Sequence, residues 1–435
     1  MAEAVIFQRD DSRTGGGPST ASEAQVESGP RVGTRPASGP ARVLHPITRL
    51  IVGGAQENTM YTAALLDPRR FQAGVLSGPQ TGTEGSLIEE VRARGVPLTI
   101  LPELLREVSP RDDLAALLKL ARFMRRGGYE IVHTHSSKAG ILGRLAARLA
   151  GTPVIVHTVH GWSFHERMSP RTRRLYVLLE RFAARFSDAL VVVARPDIEK
   201  GLREGIGRPE QYHLIRSAIP LEEFSPSPGL RRAAREELGL PPEAPVLGSL
   251  GRFSEQKNPL DWVEAAGRVG RALPECRFLL VGDGPLRPQV EAALEREGIA
   301  GRALLTGLRR DAGRMLAAMD VFLLTSLWEG LPRTLPQAMS MELPVVANRV
   351  DGTAEAVLPG ETGFLCRPGD VEGLASACLS LLRGVAMRRA FGERGRQLAR
   401  SQFDLRGMIA DIEALYARLL REKGIERTFH GKPPA

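Results

Sequence analysis

Two series of short apolar segments, each followed by an amphipathic stretch, restrict the fold of this chain more than any other feature of its sequence. The first series runs from about residue 41 to 205, and the second from about 245 to 347. Apolar runs of this length followed by helical patterns predict strands of a parallel sheet, each joined to the next by a helix. Such strand–helix–strand connections are almost always right-handed. The sequence therefore predicts an α/β protein with two doubly wound, Rossmann-like sheets.

Three prolines between residues 219 and 228 interrupt the alternation and predict the junction between two domains. A length of 435 residues suits two domains of ordinary size. Stretches rich in Gly, Ser, Pro and Thr predict disorder, and chain ends tend to fray. The predicted parts are a disordered segment at 1–40, a first domain at 41–220, a linker at 221–228, a second domain at 229–405, a helix at 406–427 that packs back toward the first domain, and a frayed tail at 428–435.

The charge of the chain is uneven and favours an anionic partner for the first domain. Residues 41–225 contain 26 basic and 19 acidic residues, a net +7 within the +9 of the whole chain. Nucleic acid, anionic lipid and a phosphorylated substrate all fit such an excess, and so does an ordinary arginine-rich surface. Aromatic residues make up only 5 % of the chain and do not alternate with the basic residues, which speaks against nucleic acid.

The number of cysteines and the hydropathy of the chain indicate the cellular compartment in which the protein works. The chain has three cysteines, none with the paired spacing of a metal site, which predicts a reducing compartment and no disulfide framework. No apolar run approaches the roughly 20 residues that span a bilayer. The first residues lack the basic start and apolar core of a signal peptide. These features predict a cytoplasmic protein.

The segment at 320–352 contains the most informative loop of the second series. An apolar run, Val321 to Leu324, predicts a buried strand, and a loop ending in Gly330 follows it. Pro336 has no N–H to donate and is tolerated only in a helix's first turn, so regular helical bonding begins near Arg333. This leaves free backbone N–H groups at Gly330, Leu331, Arg333 and Thr334. Such groups at the end of a strand predict a phosphate site.

Glu329 lies at the edge of this loop, where its carboxylate should repel a phosphate. A neutral group rich in hydroxyls beside the phosphates is a better partner for it. A sugar attached to a diphosphate satisfies both halves of the loop. An ordinary βα turn with a solvated glutamate is the alternative, and the loop alone does not decide between them.

Other loops at predicted strand ends add cations and glycines. Arg252 and Lys257 follow the first strand of the second series, where two fixed cations would hold a diphosphate and stabilise its charge as a leaving group. Paired glycines let a ligand approach the backbone closely. The candidate glycine turns are Gly53-Gly54, Gly251, Gly282-Asp283-Gly284 and Gly307-Leu308, and His160-Gly161 ends a strand of the first series.

Seven short motifs occur along the chain in an order that is specific as a set. They are Gly53-Gly54-Ala55, His160-Gly161, Arg252 with Lys257, Gly282-Asp283-Gly284, Glu329-Gly330-Leu331-Pro332, Pro344-Val345-Val346 and Gly360-Glu361-Thr362-Gly363-Phe364. The set resembles the family-4 glycosyltransferases of the GT-B fold over about residues 41–420. The stretches at 133–140 and 157–161 resemble the branch that builds capsular, exopolysaccharide and O-antigen chains.

The resemblance implies two facing Rossmann-like domains, a nucleotide sugar bound mainly by the second, and transfer with retention of anomeric configuration without a metal or cofactor. Four residues would be catalytic: Arg252 and Lys257 grip the donor diphosphate, Glu329 holds sugar hydroxyls, and His160 lies near the reacting centre. The partners implied are a nucleotide-sugar donor, with uridine diphosphate as the expected nucleotide, and a glycan or polyprenyl-diphosphate-linked acceptor.

Further site residues follow from the same motifs. The residues expected to bind the donor are Gly53, Gly54, Gly251, Gly282, Gly307, Leu308, Gly330, Leu331, Arg333, Thr334 and Gln337, and those expected on the acceptor side are His135, Lys138 and Trp162. Gln337 departs from the family, which usually has a second glutamate there that bonds the ribose. Glutamine keeps an acceptor oxygen and loses the charge, which predicts looser ribose binding with activity retained.

Three other functions stay open at this point. A GT-B epimerase would need no acceptor site. A phosphorylase would need a lysine for pyridoxal phosphate, and Lys138 and Lys200 lie in the first half, away from that role. A non-catalytic binding protein is expected to have lost Glu329 or Lys257, and both are present.

One helix of the first series has two interpretations. Six arginines and two glutamates lie between residues 166 and 186, and Leu175, Leu178, Leu179 and Phe182 fall at helical spacing. The apolar stripe either packs on the first sheet and leaves the arginines solvated, or lies on an anionic membrane as part of a basic amphipathic helix.

Overall fold

The computed structural model describes residues 39–82 and 84–425, which fold into two α/β domains. The predicted disordered segment and frayed tail lie outside the described residues, apart from Gly39 and Pro40. Each domain is built on one parallel sheet with helices between successive strands. The predicted fold class is therefore confirmed.

The first sheet has seven parallel strands. They are β1 (Ala41–Ile47), β2 (Phe71–Ser77), β3 (Leu98–Ile100), β4 (Ile131–His135), β5 (Val154–Val159), β6 (Ala189–Val192) and β7 (Tyr212–Leu214). The helices of this half are α1 (Gly54–Leu65), α2 (Ile88–Ala93), α3 (Pro110–Gly127), α4 (Ser137–Ala150), α5 (Pro170–Ala184) and α6 (Arg195–Arg203). The strand order is β3-β2-β1-β4-β5-β6-β7, so the winding direction reverses between β1 and β4.

The second sheet has six parallel strands. They are β8 (Val246–Leu250), β9 (Arg277–Val281), β10 (Ala303–Leu305), β11 (Val321–Leu324), β12 (Val345–Asn348) and β13 (Gly363–Cys366). The helices are α7 (Pro228–Glu237), α8 (Pro259–Ala272), α9 (Arg287–Arg296), α10 (Ala312–Ala317), α11 (Thr334–Ser340), α12 (Thr353–Ala356), α13 (Val371–Arg383), α14 (Val385–Gln402) and α15 (Leu405–Glu422). The order β10-β9-β8-β11-β12-β13 reverses between β8 and β11, and ligands of such sheets bind at this reversal.

Two edge strands have no counterpart among the predicted elements. β7 is three residues long and β13 is four, and each pairs with a single neighbour, β6 and β12 respectively. The inner strands β4, β5 and β11 are buried along their whole length, as expected for strands covered on both faces.

The last helix belongs to the core of the first domain although it follows the second domain in sequence. Nine residues of α15 are buried, and most of them share one apolar cluster with β1, β2 and β4. Tyr416 is wholly buried, and its hydroxyl lies 2.5 Å from Nδ1 of His133 on β4. The chain thus crosses between the domains twice, once before α7 and once at Phe403, whose carbonyl accepts the N–H of Ile219 at 3.0 Å.

The apolar stripe of helix α5 is exposed. One of the two interpretations of this helix expected the stripe to face the sheet. Leu175, Leu178, Leu179 and Phe182 are 56, 50, 36 and 46 % exposed. The buried face consists instead of Val177, Ala183, Ala184 and Glu180, and Glu180 pairs with the buried Arg144 at 2.6 Å. The expectation that this stripe packs on the first sheet is wrong, because the smaller residues and the Glu180 ion pair occupy that contact.

In the described part of the chain, no helix combines the length and apolarity that crossing a bilayer requires.

Candidate active site

Lys257 and Glu329 meet where the second sheet reverses. The loops that carry them follow β8 and β11, the two strands on either side of the reversal. The ammonium of Lys257 donates to the carboxylate of Glu329, and the side chains are 22 and 7 % exposed. The Thr325 hydroxyl donates to the Lys257 carbonyl at 3.1 Å, and the Leu327 N–H donates to the Gln256 carbonyl at 2.8 Å. These bonds fix one loop against the other, so the structure brings two of the predicted catalytic residues into contact.

Arg252 is the second predicted cation, and it reaches across to the first domain. Its guanidinium lies 3.2 Å from the carboxylate of Glu84, which also pairs with Arg49 at 3.2 Å. Burial raises the pKa of Glu84, but the hydrogen bond and charge of Arg49 and the charge of Arg252 outweigh it, so the pKa lies below the ordinary value. The anionic carboxylate of Glu84 is thus paired with Arg252, the cation that was predicted to bind phosphate. No sequence motif identified Glu84.

A pocket lies under the loop that carries these cations, at the carboxyl ends of β8, β9 and β11. Its lining includes the backbone of Gly251 together with Arg252, Lys257, Thr325 and Trp262. Gly282 follows the lining residue Val281: its φ is +138°, and a Cβ there would overlap the Gly251 carbonyl. The glycine turns at the ends of β8 and β9 therefore let two backbones approach each other beside the two cations.

Helix α11 starts where the prolines predict. Its first residue is Thr334 and Arg333 is its N-cap. Among the described residues, the backbone N–H groups of Gly330, Leu331, Arg333 and Thr334 donate no hydrogen bond. Gln337 is 8 % exposed, and its side chain has no hydrogen-bond partner in the same part of the structure. Unsatisfied donors and a free amide thus line this side of the site.

Arg333 joins the two domains. Its guanidinium donates to the carboxylate of Glu57 on α1 at 2.6 Å and lies 5.5 Å from the ring centre of Tyr61 on the same helix. Its side-chain methylenes lie 3.5 to 3.6 Å from the place where a Cβ on Gly54 would stand. The Arg333 side chain therefore packs directly against the start of α1, at the distance of an ordinary van der Waals contact.

His160 and Gly161 lie directly against the Glu329 loop. A Cβ on Gly330 would overlap the carbonyl oxygen of His160, and a Cβ on Gly161 would come within 2.9 Å of the Gly330 nitrogen. Gly161 has φ +117°, a conformation that favours glycine. The two domains thus touch through backbone atoms, and the structure brings His160 of the first domain beside Glu329 of the second.

The environment keeps His160 neutral. Burial is the main cause, with the nearby positive charge of Arg333 adding to it, and together they lower the pKa of His160 to about 3. Neutral imidazole has one N–H donor and one acceptor nitrogen. His160 can therefore hydrogen-bond a ligand without bringing a charge to it.

The other predicted donor-site residues lie at the rim. Gly307 accepts the N–H of Gly282 at 2.9 Å, which fixes that turn. Leu308 is 46 % exposed, and its side chain lies 3.0 Å from the place of a Cβ on Gly85, in the first domain. Gly53 has an extended backbone at the start of α1. These residues surround the contact between the domains.

The residues predicted on the acceptor side lie away from open surface. His135 is wholly buried behind His160, and Trp162 is 8 % exposed with its indole N–H donating to the Asp197 carbonyl at 2.8 Å. Lys138 pairs with Asp113 on α3. Their assignment to an acceptor stays a prediction.

Two pairs of side chains that face each other across the domains were not predicted from the sequence. The rings of His165 and Trp328 stack with centroids 4.0 Å apart and planes 10° apart. Burial first, and then the charge of Asp351, raises the pKa of Asp197 to about 8. Asp351 itself accepts the Glu329 N–H at 2.8 Å. Local sequence patterns could not have identified these residues, because their partners lie on the other domain.

Three buried histidines have the composition of a metal site. His45, His133 and His135 each place a ring nitrogen within 4.8 Å of the others. Most of these nitrogens already have partners: His133 bonds Tyr416 and Thr158, and His135 bonds His45 and His160. An ion would have to replace those hydrogen bonds, so the donor set fits a hydrogen-bond network better than a metal.

Comparison with known proteins identifies the family. The model of the family described as "Glycosyl transferase 4-like domain" matches residues 53–218, and that of "Glycosyl transferases group 1" matches residues 244–384. An Escherichia coli relative, UDP-Gal:alpha-D-GlcNAc-diphosphoundecaprenol alpha-1,3-galactosyltransferase, is 34 % identical over 342 residues, which cover 77 % of this chain and 86 % of that protein. The chain belongs to the family-4 glycosyltransferases.

Further relatives of this glycosyltransferase agree with that placement. The N-acetyl-alpha-D-glucosaminyl L-malate synthase of Bacillus anthracis is 27 % identical over 320 residues, 72 % of this chain and 81 % of that protein. The crystal structure of Anabaena HepE in complex with UDP and glucose superposes with a TM-score of 0.75 at 22 % identity, over 87 % of this chain and all of that one. The last likeness concerns the fold, and it confirms the GT-B arrangement expected from the sequence motifs.

Proposed function

We propose that this glycosyltransferase moves a sugar from a uridine diphosphate sugar to a glycan or polyprenyl-diphosphate-linked acceptor, with retention of anomeric configuration, in the assembly of cell-surface polysaccharide. The observation that carries the proposal is the contact of Lys257 with Glu329 beneath His160. A cation, a carboxylate and a neutral imidazole at one point suit a diphosphate, the hydroxyls of a sugar and the reacting centre between them.

Each group has a task in this reaction. Lys257 and Arg252 offset the negative charge that grows on the diphosphate as the bond to the sugar breaks. Glu329 accepts hydrogen bonds from the sugar hydroxyls, and such charge-assisted bonds fix its orientation. Two side-chain cations supply the positive charge that a metal supplies in other transferases, which supports the expectation that no metal or cofactor is needed.

The choice of donor and acceptor rests on the relatives. The Escherichia coli relative is named for a UDP-galactose donor and a diphosphoundecaprenol acceptor, and the Anabaena structure contains UDP with glucose. The free N–H groups at the start of α11 and the unpaired amide of Gln337 support a nucleotide at the same place in this chain.

The first domain supports action at the inner face of the cytoplasmic membrane. Helix α5 exposes Leu175, Leu178 and Phe182 together with the cationic side chains of Arg171 and Arg174. Apolar side chains beside arginines suit the boundary between headgroups and acyl chains of an anionic leaflet. A peripheral enzyme held there would meet a lipid-linked acceptor in the membrane plane.

A release assay tests the proposal. The purified protein is incubated with uridine, guanosine and adenosine diphosphate sugars, with and without membrane lipid extract, and free nucleotide and product anomer are measured. We expect release of UDP that depends on lipid extract and a product with the donor's anomeric configuration. Interconversion of sugars without acceptor would indicate an epimerase. No release from any donor, with Lys257→Ala behaving as wild type, would overturn the proposal.

A further inference from the structure

Three histidines form a hydrogen-bonded chain that runs from the core of the first domain to the active site. Nδ1 of His45 lies 3.0 Å from Nε2 of His135, and Nδ1 of His135 lies 3.1 Å from Nε2 of His160. The rings stack, with centroids 5.3 and 5.4 Å apart. His45 and His135 are wholly buried, whereas His160 is partly exposed. The row of hydrogen-bonded histidines therefore has a buried end at His45 and an end at His160 that a ligand can reach.

The strand order of the first sheet explains why these three histidines lie next to one another. His45 lies on β1 and His135 on β4, the strands on either side of the reversal in the first sheet, and His160 follows the next strand, β5. A fourth ring, His133, stacks on His135 with centroids 4.5 Å apart. Both of its nitrogens bond other groups, the hydroxyls of Tyr416 and Thr158, so His133 stands outside the chain.

Burial keeps all three rings neutral. It lowers the pKa of His45 to about 3, and it is the main cause that lowers the pKa of His160 to about 3 and that of His135 well below the ordinary value. Each neutral ring has one N–H and one acceptor nitrogen. Two hydrogen bonds among three such rings allow only two arrangements, with the proton on Nδ1 in every ring or on Nε2 in every ring.

The two ends of the chain distinguish these arrangements. Nε2 of His45 is buried and has no hydrogen-bond partner among the described residues. Nδ1 of His160 also bonds no described residue, but it is not among the enclosed unpartnered atoms. Orphaned N–H groups are rarer in protein cores than orphaned acceptors. The arrangement with every proton on Nδ1 avoids an orphaned N–H in the core and places the spare one on His160.

We propose that His135, supported by His45, is a positioning residue that holds His160 in the Nδ1–H tautomer. His160 then offers a hydrogen-bond donor to the bound nucleotide sugar, for an oxygen of the sugar or of its phosphate, and does not act as a base through that nitrogen. This role on the ligand rests on the proposed function. The tautomer itself does not depend on which donor the enzyme uses.

Nuclear magnetic resonance of the intact protein tests the tautomer directly. The eight histidines are labelled with ¹⁵N, and long-range proton–nitrogen correlations separate Nδ1–H from Nε2–H rings. The signal missing from His160→Phe identifies His160. We expect Nδ1–H at His45, His135 and His160 in the wild-type protein. An Nε2–H ring at His160 overturns the proposal, whatever the result of the release assay.

Variants test the role of His135. His135→Phe keeps a buried ring and removes both nitrogens, so nothing then fixes the tautomer of His160, and we expect a mixture of Nδ1–H and Nε2–H rings in place of one form. We expect kcat to fall about ten- to a hundredfold, the scale for losing the partner that orients a histidine. The Kd for UDP should stay close to wild type, because the proposed nucleotide contacts lie on the second domain. His135→Asn, whose amide nitrogen lies near the position of Nδ1, should restore both the tautomer and most of the turnover.

His133→Phe is the matched control, because it removes a buried histidine from the same stack but outside the chain. We expect His160 to keep its tautomer in this variant. If His160 stays entirely in the Nδ1–H form in His135→Phe, His135 does not hold the tautomer and the proposal is overturned. If His135→Phe does not fold, the wild-type tautomer alone decides.

Discussion

Lys257 and Glu329, 72 positions apart in the sequence, form an ion pair at the reversal of the second sheet. The pair holds a cation and a carboxylate ready for two halves of one ligand, a diphosphate and a sugar. Binding of such a ligand has to separate them, because the diphosphate takes the ammonium and the sugar hydroxyls take the carboxylate. Variants of this pair should therefore affect stability and turnover differently.

Lys257→Ala should lower turnover by about two to three powers of ten, the scale of losing one group that stabilises charge in the transition state. It should also lower the free energy of unfolding by about 1 to 3 kcal/mol, because Glu329 is left buried without its partner. The measurements are initial rates of nucleotide release and unfolding in urea.

The double variant Lys257→Ala with Glu329→Gln is the control for that prediction. It removes the stranded charge, so it should recover much of the stability and none of the turnover. Arg252→Ala should match the loss of turnover with a smaller loss of stability, because Arg252 is 41 % exposed. Near-normal turnover when Arg252 and Lys257 are both replaced would contradict their assignment to the phosphates.

Glu329→Ala should impair catalysis and sugar choice more than nucleotide binding, because the carboxylate is assigned to the sugar. Competition among UDP-sugars reports sugar choice, and calorimetry with UDP reports nucleotide binding. Gln337→Glu should change UDP affinity modestly and correct no other defect. Loss of UDP binding in Glu329→Ala with sugar choice intact would mean that the donor lies in the opposite direction.

Glu84→Gln should raise the affinity for UDP. The Glu84 carboxylate competes with a diphosphate for Arg252, which is 41 % exposed. A pair with such an exposed partner is worth about 0.2 to 1 kcal/mol, so the gain is at most about fivefold. The gain should shrink as salt is added, since screening weakens the competing pair. Calorimetric titration at two salt concentrations measures it, and weaker binding in the variant would show that Glu84 supports the site.

Gly330→Ala should separate the domains at their backbone contact, because the added methyl group overlaps the His160 carbonyl. Turnover should fall on the order of 10²-fold, the cost of displacing a reacting group by about 1 Å. UDP affinity should fall less than turnover, since Gly330 supplies only one of the proposed nucleotide contacts, through its backbone N–H. The control is Gly407→Ala on α15, where an added Cβ meets nothing within 4 Å, and a similar loss of turnover there would refute the argument.

The predictable part of this structure is the part that depends on local sequence. Apolar runs identified the strands on either side of both reversals, and Pro336 located the start of α11 to within about a residue. The edge strands β7 and β13 were missed because each follows the last strand predicted in its series, whereas the equally short β3 and β10 continue an alternation of strands and helices. In the site, Lys257 and Glu329 were found because each follows a recognisable strand.

The contacts between the domains could not be predicted in this way. Glu84, Glu57 and His165 lie on the first domain, and nothing near them in sequence indicates that Arg252, Arg333 and Trp328 face them. Periodicity likewise identified α5 as amphipathic but did not show which of its faces meets the sheet. Both failures concern the relative placement of elements, which local patterns do not encode.

The exposed face of α5 should bind anionic membranes. Leu175, Leu178 and Phe182 are 56, 50 and 46 % exposed, and no ion pair holds Arg171 or Arg174 in the described part of the chain. Co-sedimentation should be stronger with vesicles containing anionic lipid than with neutral ones, and it should weaken as salt rises.

Two sets of α5 variants separate the contributions to this binding. Arg171→Gln with Arg174→Gln should remove the dependence on anionic lipid, and Leu178→Ser with Phe182→Ser should weaken binding at every salt concentration. Arg173→Gln is the matched control, because Arg173 already pairs with Glu204 at 2.6 Å and should contribute little. If the wild-type protein sediments equally with neutral and anionic vesicles at low salt, the face binds no membrane. The acceptor would then be soluble or be delivered to the site otherwise, since no contact of α5 with the bilayer would hold the enzyme beside a lipid-linked one.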